Sequence, residues 1–323
     1  MSIFQYAWRI AVLYVGLAAA IPTSVSSLGP HPHPARDYES ATRLAAAFQR
    51  ADSGAVKGGE SILLLRGTRT ARVFVLFHGL TNSPRQFREL ADTLYARGDN
   101  VFAPRLPQHA LKGADADDLG RITAEALRNS ADASIDAASG LGDTVVVLGI
   151  SLGGDLAAWA AQFRPEVYRA VLVAPALGLT HIPSATATPM MNLVLRLPNY
   201  SKHDPPDSLR PDRILGWSTR GVGQMLRLGA AVRRAADNHP PAAHVIVVLL
   251  NAHDRTIDGG AVNELVSHWS AHGACVQKFE FPDSLQLPHD VVDPDEATAK
   301  PSVTYPVLLA LLYGSSPPAN LVR

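Results

Sequence analysis

The feature that most constrains the fold is a regular alternation of short apolar runs with longer helical patterns between residues 61 and 313. The short runs have the length of strands, and several are apolar at successive positions, as in strands that are covered on both faces. This alternation predicts a mostly parallel sheet flanked by helices. The predicted strands span residues 61–65, 73–77, 100–103, 144–148, 170–173, 244–250 and 276–281.

Helical patterns fill most of the connections between these strands. Pro84 suits the first turn of a helix that runs to about residue 97. Further helices are predicted over residues 119–138, 152–163, 260–272 and 302–313.

One connection, residues 175–243, is far longer than the roughly 2–6 residues usual in an α/β unit, so we interpret it as an insertion. Its Met and Leu residues and a helical pattern over 221–236 predict a small helical cap above the sheet. The Met and Leu side chains suit either a pocket wall or the core of the cap itself.

Composition and charge exclude several classes of protein. Of 323 residues, 47% are hydrophobic and 18% charged, which excludes a chain that is mainly disordered. Because 29 Lys and Arg balance 29 Asp and Glu, we expect no nucleic-acid partner. Cys275 is the only cysteine of the sequence, so an intrachain disulfide and a thiolate metal cluster are excluded.

The amino terminus carries an apolar stretch over residues 10–21, preceded by Arg9. Its length suits the central region of a secretory signal, and Ala18 and Ala20 supply small residues for a cleavage site. Alternatively, residues 3–21 form a membrane anchor, at a cost of roughly 2.5–3.5 kcal/mol for inserting Arg9. A core helix of a cytosolic protein is the third interpretation.

These observations predict three regions. Residues 1–27 are a signal peptide or an N-terminal anchor, residues 28–59 are a linker and N-terminal segment, and residues 60–323 form the α/β domain. The cap insertion covers about 176–243 of that domain. We expect a secreted or periplasmic protein, or alternatively one that residues 3–21 tether to a membrane.

Ser151 lies in a Gly-x-Ser-x-Gly pattern formed by residues 149–153. Such glycines let the chain turn sharply from a strand into a helix, which lifts the serine hydroxyl clear of the sheet. A predicted strand precedes this pattern and a predicted helix follows it. The arrangement is typical of a nucleophilic serine.

A second loop, residues 78–81, follows the strand over 73–77. Acyl transfer by a serine needs backbone N–H donors for the oxyanion, one from the residue after the nucleophile and one from such a loop. The predicted donors are Leu152 and Leu80. We do not predict His78 as the base, because it precedes the nucleophile and belongs to the oxyanion loop.

With residues 78–84, 104–107, 149–154 and two later segments, the chain resembles the α/β-hydrolase superfamily, most closely its bacterial carboxylesterase and monoacylglycerol-lipase branch. The resemblance implies an α/β-hydrolase fold whose small helical cap is inserted after the sixth strand. It also implies a Ser-His-Asp triad without a metal or an organic cofactor. The chain departs from many relatives at 108–110, where Gln-His-Ala replaces Gly-His-Gly.

The acid and the base should follow the nucleophile in that order. Asp254 is the predicted acid, because it lies directly after the strand over 244–250; Asp258 is the alternative and resembles a position that caps the next helix. His289 is the predicted general base. His253 is too close to Asp254 in sequence to bridge that acid to Ser151.

Three other histidines receive different interpretations. His268 and His272 have helical spacing, but Trp stands where a zinc-protease motif needs Glu, so we interpret them as surface residues. His109 is a candidate for the pocket wall.

The leading functional hypothesis is a serine carboxylic-ester hydrolase that forms an acyl-enzyme on small-molecule esters with short or medium acyl chains, or on monoglyceride-like esters. A thioesterase, an amidase and a carbon–carbon bond hydrolase would use the same triad. A non-catalytic, ligand-binding member of the fold is the alternative from another class.

Overall fold

The computed structural model describes residues 3–205, 207 and 209–323. Its centre is a seven-stranded sheet in the order β1-β3-β2-β4-β5-β8-β9, in which β1 is antiparallel to β3 and the other pairs are parallel. Each predicted strand lies in this sheet, which confirms the predicted fold class. The strands are β1 (Ile62–Leu64), β2 (Thr70–Phe77), β3 (Asn100–Ala103), β4 (Gly142–Ile150), β5 (Val167–Val173), β8 (Val245–Asn251) and β9 (Val276–Phe281).

Helices cover both faces of the sheet. Along β2, Val73, Val75 and Phe77 face one apolar core while Phe74 and Leu76 face the other, as the two-residue period of a strand requires. The helices are α1 (Ile3–Ala20), α2 (Tyr38–Ala51), α3 (Arg88–Ala96), α4 (Ala116–Leu119), α5 (Ala124–Leu141), α6 (Leu152–Phe163), α7 (Ser184–Arg196), α8 (Thr219–Ala236), α9 (Gly259–Ala271) and α10 (Pro301–Tyr313).

The helix predicted over residues 119–138 corresponds to α5, which begins later, at Ala124; Leu119 is instead the last residue of α4. The start of α5 is set by Thr123, whose hydroxyl accepts a hydrogen bond from the Ala126 amide at 3.1 Å. The four residues between the two helices form a turn that the apolar pattern alone does not reveal.

The inserted segment lies between β5 and β8. It contains α7, α8 and a two-stranded ribbon of β6 (Ser201–His203) and β7 (Gly216–Ser218). It therefore follows the fifth strand of the sheet, and the prediction that it follows the sixth was wrong. In the described residues, five strands precede the insertion, one fewer than the resemblance implied. Helix α8 also packs against α6, so the insertion is joined to the main helical layer.

Helix α1 packs against α7. Asn192 donates to the Ala19 carbonyl at 3.1 Å and Arg196 to the Ala18 carbonyl at 3.2 Å, while Trp8 remains 70% exposed. No helix in the described part of the chain is long and apolar enough to cross a membrane. Whether residues 1–27 are a signal or an anchor stays a prediction.

The segment predicted as a linker packs on the α/β domain. Leu28 is fully buried, and the Trp159 indole donates to its carbonyl oxygen at 2.7 Å. Helix α2 packs against α5, and a capping box of Asp37 and Ser40 starts it. That Asp-x-x-Ser pattern is the local signal from which α2 was predictable.

Candidate active site

Ser151 stands at a sharp turn between β4 and α6. Its φ is 56° and its ψ is −119°, a conformation that side chains rarely adopt. The neighbouring glycines permit it: a Cβ added at Gly149 would lie 1.8 Å from the Gly153 carbonyl oxygen, and one at Gly153 would lie 1.8 Å from the Phe77 carbonyl oxygen. The turn therefore requires glycine at both positions and presents Ser151 to a cavity.

The two predicted oxyanion donors come from different segments of the chain. Leu152 is the first residue of α6, where helix N–H groups have no acceptor within the helix. Leu80 lies in the loop after β2 and lines the same cavity as Ser151. The amide of the preceding residue, Gly79, donates to Gln86 Oε1 at 3.0 Å and is therefore already engaged.

Asp254 and His289 are in direct contact. His289 Nδ1 donates to Asp254 Oδ2 at 2.6 Å, and Asp254 Oδ1 accepts from the Thr256 amide at 2.7 Å. Burial alone would raise the pKa of Asp254, but the hydrogen bond and charge of His289 and the backbone amides outweigh it, so the pKa is lowered. The acid is therefore ionised at neutral pH and suited to stabilise an imidazolium at His289.

Ser151 and His289 line one cavity, and Asp254 contacts His289. No hydrogen bond joins Ser151 Oγ to His289 Nε2 among the described residues. In unliganded enzymes such bonds are often long and shorten only when substrate binds. The structure thus brings the predicted nucleophile, base and acid to one place, and their chemical roles stay predictions.

The alternative acid and base have other partners. Asp258 caps α9 by accepting from the Gly260 amide at 2.9 Å, as the resemblance implied. His253 Nδ1 contacts Asp283 Oδ1 at 2.9 Å rather than Asp254. Asp258 thus caps a helix, and His253 pairs with a carboxylate other than the predicted acid.

Two buried histidines hold the loops around the site. His78 Nδ1 donates to the Gly79 carbonyl at 2.9 Å and its Nε2 accepts from the Leu106 amide at 3.1 Å; burial lowers the pKa of His78. His109 lies 2.7 Å from the Leu80 carbonyl and is not among the cavity-lining residues. Both act on the backbone of the oxyanion loop from outside the cavity.

The departure from Gly-His-Gly has a visible backbone consequence. Gln108 has a φ of 67° and Ala110 a φ of 50°, so both occupy the left-handed region that favours glycine. Two residues with side chains thus hold this conformation at a cost in backbone strain of roughly 1–2 kcal/mol per residue.

The cavity has a volume of about 800 Å³ and a lining of both polar and apolar residues. Among the polar ones, Arg213 Nη2 contacts Glu296 Oε2 at 2.7 Å. Asn82, Gln86 and Asp290 also belong to the lining. The apolar lining comes mainly from the insertion and the loop after β8: Leu179, Ile182, Met190, Val194, Trp217, Val222, Met225, Leu226 and Ile257.

A group with the spacing to hold a metal ion lies elsewhere. Ligand atoms of Asp115, Asp117 and His203 are within 4.8 Å of one another, but these side chains are exposed and do not line the cavity. His268, which is partly exposed, pairs with Asp237 at 2.5 Å.

Sequence reasoning missed Gln86, Asp290 and Asp155. Gln86 and Asp290 line the cavity and are bonded to each other at 2.6 Å although 204 positions separate them. Asp155 is fully buried in α6, and its one sequence signal is a carboxylate within an otherwise apolar helix.

Comparison with known proteins gives a consistent picture. Residues 72–220 match a family model described as alpha/beta hydrolase fold. A thermostable monoacylglycerol lipase from Bacillus sp. (strain H-257) is 28% identical over 155 residues, which are 48% of this chain and 59% of that protein. The match thus spans less than two thirds of the relative's length.

Two solved structures share the fold. One, reported with the metagenome-derived lipolytic enzymes LipS and LipT, has a TM-score of 0.60 and 16% identity, and the match covers 80% of this chain and 98% of that one. The monoacylglycerol lipase of Paleococcus ferrophilus has a TM-score of 0.57 and 17% identity. The match covers 79% of this chain and 98% of that one.

Proposed function

The chain belongs to the α/β-hydrolase superfamily and is lipase- and esterase-like, and from this premise we propose that it is a serine carboxylic-ester hydrolase acting through an acyl-enzyme. The observation that carries the proposal is the arrangement at one cavity. Ser151 stands on a strained turn there, and His289 faces the same space with Asp254 bonded behind it at 2.6 Å.

The proposed reaction assigns one proton to each step. His289 Nε2 takes the Ser151 hydroxyl proton as the oxygen attacks the ester carbonyl carbon, and Asp254 stabilises the resulting imidazolium. The oxyanion accepts hydrogen bonds from the Leu80 and Leu152 amides. His289 then returns the proton to the leaving alcohol, which departs and leaves the acyl group on Ser151.

Hydrolysis of the acyl-enzyme uses the same groups. His289 takes a proton from water, whose oxygen attacks the acyl carbon, and returns it to Ser151 as the carboxylic acid leaves. Loss of one oxyanion donor typically lowers the rate by about 10²–10³, so the backbone geometry at Leu80 and Leu152 matters more than their side chains.

The volume and the lining of the cavity favour small esters with an apolar acyl group as substrates. Its volume of about 800 Å³ lies within the range of roughly 300–1,000 Å³ typical of small-molecule sites. We propose that short or medium acyl chains contact the apolar lining around Trp217 and Leu226. Arg213 and Glu296 offer a donor and an acceptor to a hydroxylated leaving group, which is consistent with monoglyceride-like substrates.

The proposal is tested with a series of p-nitrophenyl esters from acetate to palmitate, assayed with the wild-type chain, Ser151→Ala and Ser134→Ala. Ser134 is a buried serine of α5 outside the cavity and is the matched control. We expect activity that peaks at one chain length, persists in Ser134→Ala and is lost in Ser151→Ala. A folded wild-type protein without activity on any of the esters would contradict an ester hydrolase and favour the ligand-binding alternative.

A further inference from the structure

A buried chain of hydrogen bonds joins the two loops that carry the proposed machinery. The oxyanion loop, introduced above as residues 78–81, is taken here to include the adjoining residues 82 and 83. We call residues 287–293 the histidine loop. The Gly79 amide donates to Gln86 Oε1 at 3.0 Å, and Gln86 Nε2 donates to Asp290 Oδ2 at 2.6 Å. Gln86 therefore connects the residue before one oxyanion donor to the residue after His289.

Asp290 is held firmly at the other end of this bridge. Its carboxylate accepts from Asn82 Nδ2 at 3.0 Å, and from the amides of Val292 and Asp293 at 3.1 and 3.0 Å. With Gln86 it thus has four donors, which is about the full capacity of a carboxylate. Four donors hold the carboxylate in one orientation. Because Asp290 directly follows His289 in the chain, they also restrict where His289 can lie.

The inserted segment packs on both loops at the same place. Arg210, of which 5% of the side chain is exposed, donates to Asp293 at 2.9 Å and to Asn82 at 3.3 Å. Asp212 accepts from the Ser83 hydroxyl at 2.7 Å. Gln86 is 2% and Asp290 9% exposed, and in such surroundings a lost hydrogen bond leaves a buried polar group without a partner.

We propose that Gln86 and Asp290 are positioning residues that fix the oxyanion loop relative to His289. The inference rests on the proposed function. The two loops follow different strands, and among the described contacts that join them only the one through Gln86 reaches Gly79, the residue before the Leu80 donor. A misplacement of about 1 Å at such a donor can lower a rate by about 10². Gln86 also occupies the Gly79 amide, which leaves the Leu80 amide as the donor of that loop.

Three variants test the bridge by reversing its polarity. In Gln86→Glu, two carboxylates face each other across the 2.6 Å contact. In Asp290→Asn, one orientation of the new side-chain amide sets its N–H groups against those of Gln86. We expect each single variant to lower kcat on the best p-nitrophenyl ester by about 10–100-fold with little change in KM. The double variant Gln86→Glu/Asp290→Asn exchanges donor and acceptor at the Gln86 contact while losing the Asn82 hydrogen bond, and we expect it to recover part of the loss in kcat.

A recovery of kcat in the double variant distinguishes a positioning role from a general structural role. If the two substitutions caused independent structural defects, their rate losses would multiply. A double variant no more active than the product of the single effects would overturn the proposal. Gln86→Met removes both hydrogen bonds without introducing charge repulsion and covers the case in which Gln86→Glu does not fold. Wild-type kcat in a folded Gln86→Met protein would also overturn the proposal.

The failure of the proposed function gives a different result. In that case the wild-type chain would hydrolyse none of the esters, and the variants would have no rate to compare. An active wild type with folded, equally active single variants would refute the bridge alone. Thermal unfolding of every variant checks that the compared proteins are folded.

Discussion

We expect Asp155→Asn to stabilise the protein relative to wild type progressively as the pH rises. Asp155 is fully buried in α6, the helix that begins directly after Ser151, and neither carboxyl oxygen has a hydrogen-bond partner among the described residues. Burial raises the pKa of Asp155 well above its usual value of 3.8, and the opposing effect of the Arg233 charge is smaller. The folded protein therefore holds this carboxyl group neutral at pH values at which the unfolded chain has ionised it.

The sign follows from the protons bound in each state. Between the unfolded and the folded pKa, the folded state carries one more proton, so the free energy of unfolding falls as the pH rises. The slope is about 1.4 kcal/mol per pH unit, and this contribution to stability is complete only below the unfolded pKa. The variant lacks the group, so its stability relative to wild type should increase by about that amount for each pH unit across the interval.

Urea unfolding of both proteins at several pH values measures this difference directly, because all other titrating groups contribute equally and cancel. Asp143→Asn is the matched control, since Asp143 is 71% exposed and its removal should produce no comparable slope. A stability difference between Asp155→Asn and wild type that does not change with pH would refute the reasoning. Such a result would mean that the buried carboxyl group is ionised in the folded protein.

Three further substitutions test the backbone and the amino-terminal packing. Gly153→Ala should abolish ester hydrolysis, because its Cβ would lie 1.8 Å from a carbonyl oxygen, whereas Gly259→Ala, with no neighbouring atom closer than 3.8 Å, should retain it. Leu28→Ala should lower the free energy of unfolding in urea by about 2–5 kcal/mol, and unchanged stability would show that residues 26–34 do not contribute to the folded domain. Gln108→Gly relieves a φ of 67° and should raise the free energy of unfolding by up to about 1 kcal/mol; a decrease would contradict the assigned strain.

The strands were predictable because their burial is written in the local sequence. Strand β4 is apolar at successive positions, which is typical of a strand covered on both faces. The turn at Ser151 was predictable for a similar reason, since the glycines it requires are adjacent to the serine. Asp254 and His289 were located by their order and by the strands before them, and they are in contact in the structure.

The remaining features depend on partners that are distant in sequence. Gln86 and Asp290 form one hydrogen bond across 204 positions, and no periodicity encodes such a pair. The ribbon of β6 and β7 consists of two three-residue strands, too short for an apolar alternation to be recognised. Helix α2 is different: its capping box is a local signal in the sequence, yet residues 28–59 are predicted above as a linker and N-terminal segment.

The central claim is that Ser151 is a nucleophile activated by His289, and covalent labelling tests it most directly. The folded wild-type chain is treated with a fluorophosphonate, digested and analysed by mass spectrometry, with Ser151→Ala and urea-unfolded wild type in parallel. We expect a single adduct on the peptide that contains Ser151, absent from the variant and from the unfolded protein. An adduct on another residue, or none on a protein shown to be folded, would contradict the account.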